Sequence, residues 1–282
     1  MHHKFLLTLL FFCCVILNGS TQPIMNPAYD NIFSLIYHFR FNDARQFIDS
    51  IETQPGSLNS IKAYLLYWEA LSGIDPDKKL NEAEHLISKI LTAEKDPYNE
   101  VSLKLLKIRI LITQQRYMSV LLTINELKSF FQNYPLKDND TPYNKLIWGL
   151  YHFYASEARN TNMFYAKYLS SWPGSDKNLG LMILDSILNE KNVFVKNEGL
   201  YFLFRINAEI ELNDALAEKY LLMLQDEYPE NSIYKELFLK FLLRKNRVVE
   251  FQDIKVKFLA FIESSVIFSQ NQITHFKNSI QE

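Results

Sequence analysis

The sequence predicts an all-α protein, an α-solenoid of antiparallel helix pairs, and three observations predict it. Glycine is scarce, with seven residues in a chain of 282. Helix-capping residues stand directly before proline at four places. Between the prolines, apolar side chains recur at helical rather than alternating offsets.

The glycine count excludes more than it assigns. Phosphate-cradling loops, nucleophile elbows and tight hairpins need positive φ or a close backbone approach, which glycine supplies. Doubly wound and barrel enzymes are therefore disfavoured, and no convincing strand pattern is present.

Proline marks the helix boundaries. Asn26-Pro27, Asp75-Pro76, Asp96-Pro97 and Thr141-Pro142 each place an acceptor side chain at the N-cap and a residue with preset φ and no N–H at the first helical position. Pro55, Pro135, Pro173 and Pro229 follow periodic apolar stretches and read as helix ends. Ala44, Phe47, Ile48 and Ile51 share one face, as do Ala83, Leu86, Ile87 and Ile90. Val120, Ile124, Leu127 and Phe131, and then Ala217, Leu221, Leu224 and Tyr228, extend such stripes over three turns. One stripe cannot offset the chain entropy of its helix, so the helices must stack.

The resulting helices lie near 27–39, 43–53, 59–72, 77–94, 97–114, 117–133, 142–158, 161–170, 176–190, 194–212, 214–228, 232–245, 248–264 and 269–280. Short connections favour antiparallel neighbours. The longest break, Asn133 to Thr141, is a candidate lobe boundary near 134–141 within one helical-repeat domain over 22–282.

The first residues read as a secretory signal over 1–21: Lys4, an apolar stretch from Phe5 to Leu17, then small polar residues to Thr21. That stretch is shorter than the roughly 20 residues a spanning helix needs, so cleavage near Thr21 is expected, with retention as an anchor the alternative. Cys13 and Cys14 both fall inside it, so an exported mature chain has no disulfide and must rely on its core. Without the leader, 29 bases face 32 acids, a balance that gives no electrostatic reason to expect nucleic acid.

Internal repetition follows. Phe41-Asn42-Asp43-Ala44, Leu80-Asn81-Glu82-Ala83 and Leu212-Asn213-Asp214-Ala215 read as openings of the second helix of a pair. Tyr201, Phe204, Ala208, Ala217, Leu221, Leu224 and Pro229, closed by Asp226-Glu227-Tyr228-Pro229, resemble a degenerate tetratricopeptide repeat; Arg205 departs from it where a small residue is usual. Ser171-Trp172-Pro173-Gly174-Ser175 and Gln54-Pro55-Gly56-Ser57 are similar closing segments. The resemblance implies a groove for a partner, lined by the first helix of each pair, of the kind found in proteins of the bacterial cell envelope.

No catalytic set is expected, and no cofactor or metal. His38, His85, His152 and His275 are not spaced as a ligand pair, and Glu82 and Glu84 beside His85 read as a solvated face. Ser72-Gly73 and Gly174-Ser175 sit where helices end, and Asp75, Asp77, Asp138 and Asp140 look like caps. Lys240, Arg244, Lys245 and Arg247 are locally basic, either a patch for an acidic partner or a solvated helix end. Nine aromatic residues fall between Tyr143 and Trp172. Trp148, Tyr151 and Tyr154 share a helix face, either a stacking groove or large core fillers. With Arg205 they are the candidate partner-binding residues. The expected role is a non-enzymatic scaffold, exported to the periplasm or cell envelope, that binds a protein or peptide on the concave face of the array. A periplasmic glycan-binding protein or hydrolase using 143–172 is the alternative.

Overall fold

In the computed structural model, residues 27–51, 55–137 and 140–280 are described. The leader, both cysteines, Thr21, Asn26, Gln54, Asp138 and Asn139 lie outside the described residues. Among the described residues every regular element is helical. These are α1 (Pro27–Tyr37), α2 (Phe41–Ser50), α3 (Pro55–Leu71), α4 (Pro76–Leu91), α5 (Pro97–Thr113), α6 (Tyr117–Glu126), α7 (Lys128–Asn133) and α8 (Pro142–Thr161). The chain continues through α9 (Met163–Tyr168), α10 (Lys177–Ser186), α11 (Val193–Glu209), α12 (Asp214–Glu227), α13 (Ser232–Arg244), α14 (Val248–Ser264) and α15 (Gln270–Ser279). Single 3-10 turns occupy Leu169–Ser171 and Ile187–Asn189.

The expected capping bond is seen at two of the proline sites. Asp96 caps α5 by accepting from the Tyr98 N–H at 2.9 Å, and Thr141 caps α8 by accepting from that of Asn144 at 3.2 Å. Pro55 departs from its expected role: it opens α3 rather than closing α2, because the first helical position tolerates proline as well as a post-helix position does. The stretch 117–133 is two helices, since the Leu127 N–H turns back to the Ile124 carbonyl at 2.9 Å and tightens the chain there.

Four connections use one backbone solution. Phe39, Gln115, Leu212 and Asn246 adopt φ of 60°, 59°, 54° and 56°, and the next residue is the N-cap of the following helix. Four residues beyond that cap, Ala44, Val120, Ala217 and Phe251 are buried, each N–H donating to the cap carbonyl at 2.9–3.2 Å. In three of the turns the cap is arginine: Arg40, Arg116 and Arg247. Two of these reach a glutamate on an earlier helix, Arg116 to Glu84 on α4 and Arg247 to Glu218 on α12. Both glutamates directly follow a fully buried alanine, Ala83 or Ala217. The sequence phrases are therefore only partly in register. The first opens α2, the second lies a turn inside α4, and in the third Ala217 rather than Ala215 is the buried residue.

The chain divides into two compact units. Residues 27–30, 55–64 and 83–199 form the first; residues 31–51, 65–82 and 200–280 form the second. In the first, α5 packs on α6, and α8 packs on both α9 and α10. The α8–α10 contact is glycine-mediated: a Cβ on Gly180 would lie 2.5 Å from the Phe153 nitrogen and 2.7 Å from the Gly149 carbonyl oxygen. In the second, α12 and α14 pack on α13, and α15 packs on α13 and α14. The 134–141 connection lies inside the first unit. Tyr134 stacks on Phe130 at 5.5 Å, and Asp140 accepts from the Lys137 N–H and the Asn144 amide at 2.6 and 3.1 Å, which fastens this connection to its flanking helices.

Candidate interaction surface

Trp148, Tyr151 and Tyr154 share the buried side of α8, none more than 4% exposed. Tyr151 stacks on Phe131 of α7 with ring centres 4.1 Å apart, and Trp148 meets the same ring edge-on at 5.2 Å. The Tyr151 hydroxyl donates to the Pro173 carbonyl at 2.6 Å, and Arg159 donates to the carbonyls of Leu169 and Pro173 at 3.0 and 2.6 Å. These rings are core in this structure, not a surface, so a peptide or sugar reaching them would displace packed side chains. Arg205 belongs to the second unit, on α11, half-buried, donating to the Tyr201 hydroxyl at 2.8 Å and ion-paired with Glu209 at 2.8 Å.

The remaining sequence candidates occupy ordinary structural positions. Lys240, Arg244, Lys245 and Arg247 each meet an acid, Glu236, Glu209, Asp214 and Glu218 respectively. Ser72 donates to the Glu69 carbonyl and accepts from Gln272, at 2.8 and 3.2 Å. Asp75 ends a turn with φ of 40°. His152 accepts from the Asp176 N–H at 3.2 Å, and burial pushes its imidazole below the ordinary value. Among the described residues no group of three or more metal-ligating side chains converges. A cleft of about 800 Å³ in the second unit is lined by apolar side chains, Phe41, Ile74 and Ile267 among them, and by two ion pairs, Arg40 with Asp43 and Arg45 with buried Glu69.

The surface that stands out is apolar and lies on α6 and α9 in the first unit. Met118, Leu122, Met163 and Phe164 are 72%, 67%, 87% and 68% exposed, and Tyr117, Leu121 and Tyr168 are also open to solvent. α6 buries Val120, Thr123 and Ile124 against its neighbours, so these residues form a second, outward apolar face. The two elements are held in parallel register. The Tyr168 hydroxyl lies 3.2 Å from the Asn125 side-chain oxygen and the Lys128 ammonium 2.7 Å from the Ser171 hydroxyl, both links spanning 43 residues. Leu121 precedes Asn125 on α6, and Phe164 precedes Tyr168 on α9, by one helical turn.

Compared with known proteins, the chain matches no family model, no curated protein and no solved structure. The surface therefore has to be read from its own chemistry. Large apolar side chains this exposed on two hydrogen-bonded helices are read as a binding surface, because apolar patches on monomeric proteins mark such sites. Sequence reasoning missed it because the inward stripe of α6 accounted for that helix. The available signal was Met118, Leu121 and Leu122, three large apolar residues off that stripe. No helix among the described residues is long and apolar enough to cross a membrane.

Proposed function

We propose that this chain is an exported, non-enzymatic scaffold of tetratricopeptide-like helical repeats, acting in the periplasm or cell envelope, and that it holds a protein or peptide partner on the apolar strip of α6 and α9. Export rests on the leader pattern. The repeat reading draws support from the four equivalent turns and from the turn arginines that tie Arg116 to Glu84 and Arg247 to Glu218.

The single observation that carries the binding role is the set of four apolar side chains, each about two-thirds exposed or more, on two helices joined by the Asn125–Tyr168 hydrogen bond. Burying a large apolar side chain contributes about 1.5–3 kcal/mol, and methionine and aromatic residues are enriched where proteins meet. This location departs from the groove the family resemblance implies, since α6 is the second helix of its pair.

A photo-crosslinking residue placed at Leu122 or Met163, and as a control at exposed Lys257 on α14, tests the reading in the organism's own envelope. The proposal expects one discrete adduct shared by the Leu122 and Met163 positions and absent at Lys257. Adducts indistinguishable among the three positions would remove the strip as a docking site.

A further inference from the structure

Resting on that docking reading, we infer that the occupant is an amphipathic protein segment carrying aspartate or glutamate about two helical turns beyond its apolar anchors. The charges around the strip are one-sided. Across 116–133 and 162–175 the one acid is Glu126, and Lys104 holds it at 3.2 Å. The bases are Arg116, already paired with Glu84, together with Lys128 and Lys167. Lys128 is engaged by a neutral hydroxyl, that of Ser171, and neither lysine is ion-paired with an acid among the described residues.

The strip also has a direction. Leu121 on α6 and Phe164 on α9 precede the linked Asn125 and Tyr168, and Lys128 and Ser171 follow. From Leu121 to Lys128 is seven residues, roughly 10 Å at helical rise. An apolar anchor seated at Leu121 therefore puts a side chain two turns later near Lys128, where an ammonium held by a neutral hydroxyl favours a carboxylate. A second copy of this chain would bring the same two lysines to the contact and repel. A lipid surface would satisfy the charge but would not read the spacing.

Fluorescence anisotropy with the full chain and designed helical peptides tests this. One peptide carries a leucine anchor face followed by glutamate two turns on, a second has lysine there, and a third has the glutamate two turns before the anchor. The glutamate-after peptide should bind about threefold more tightly than either of the others. Lys128→Glu with Lys167→Glu should reverse the glutamate-over-lysine preference, and Leu122→Asp with Met163→Asp should abolish binding while circular dichroism stays unchanged. Equal binding of the three peptides, lost in the Leu122→Asp, Met163→Asp protein, would overturn the acidic partner and leave the docking strip standing. Binding indifferent to that double variant, or no binding of any peptide, would overturn both. Flotation with phosphatidylglycerol vesicles that depends on the same four positions would replace the protein segment with an anionic lipid surface.

Discussion

Arg109 and Glu198 form an ion pair in the first unit, 3.0 Å apart, with side chains only 4% and 1% exposed. The second carboxylate oxygen of Glu198 accepts from the buried Tyr64 hydroxyl. Charges removed from water this completely are costly to leave unmatched, whereas the pair as a whole is not strongly stabilising relative to apolar packing. Glu198→Ala should therefore destabilise by about 3–5 kcal/mol. Arg109→Met combined with Glu198→Leu should cost clearly less than Glu198→Ala. Urea unfolding of the three proteins checks this, and a double variant that is no more stable than Glu198→Ala would contradict it.

The glycine pair on α8 and α10 makes a separate prediction. The atoms facing a new Cβ at Gly180 are backbone, from Phe153 and Gly149, so the helices themselves must move apart. Gly180→Ala should cost about 1–3 kcal/mol, the scale of overpacking. Gly174, with nothing within 4 Å of its Cβ position, is the control, and Gly174→Ala should not destabilise. Comparable losses at both positions would mean that close helix approach is not the cause.

Gln115 bears backbone strain in the turn between α5 and α6. It is exposed, with φ of 59°, a conformation that costs an L-residue roughly 1–2 kcal/mol and glycine almost nothing. Gln115→Gly should raise stability by up to about 1 kcal/mol, since the greater freedom of the unfolded chain takes back part of the gain. A loss in thermal or urea unfolding would contradict the turn geometry.

His152 should make stability depend on pH. Burial pushes its imidazole below 6.5, Arg159 adds to that, and Asp176 opposes it. The unfolded chain therefore binds a proton at pH values where the folded chain does not. This contribution is complete above about 6.5 and is lost as pH falls from there toward the folded-state value. Urea unfolding across this window should show a steeper acid-side loss for the natural protein than for His152→Gln. Parallel curves would contradict the assignment.

Much of this architecture is legible in the sequence because helix caps and helical periodicity are local. The stripe Ala217, Leu221, Leu224 and Tyr228 is buried throughout, and the helix expected at 248–264 has those bounds. What was not legible is non-local. Pro55 suits a helix start and a helix end equally. The rings of Trp148, Tyr151 and Tyr154 suit a core or a groove until Phe131 and Pro173 close over Tyr151. The positive φ at Phe39, Gln115, Leu212 and Asn246 carries no glycine to announce it. The outward face of α6 gains its meaning only from α9, 43 residues further on.

The most direct test of the account is the Leu122→Asp, Met163→Asp protein, compared with the natural chain for recovery of a stoichiometric complex from envelope extracts. Both positions are exposed, so unfolding stability should stay within about 0.5 kcal/mol of the natural protein. The account predicts that the complex recovered with the natural chain is absent with this variant. Recovery of the same complex in the same amount would contradict it.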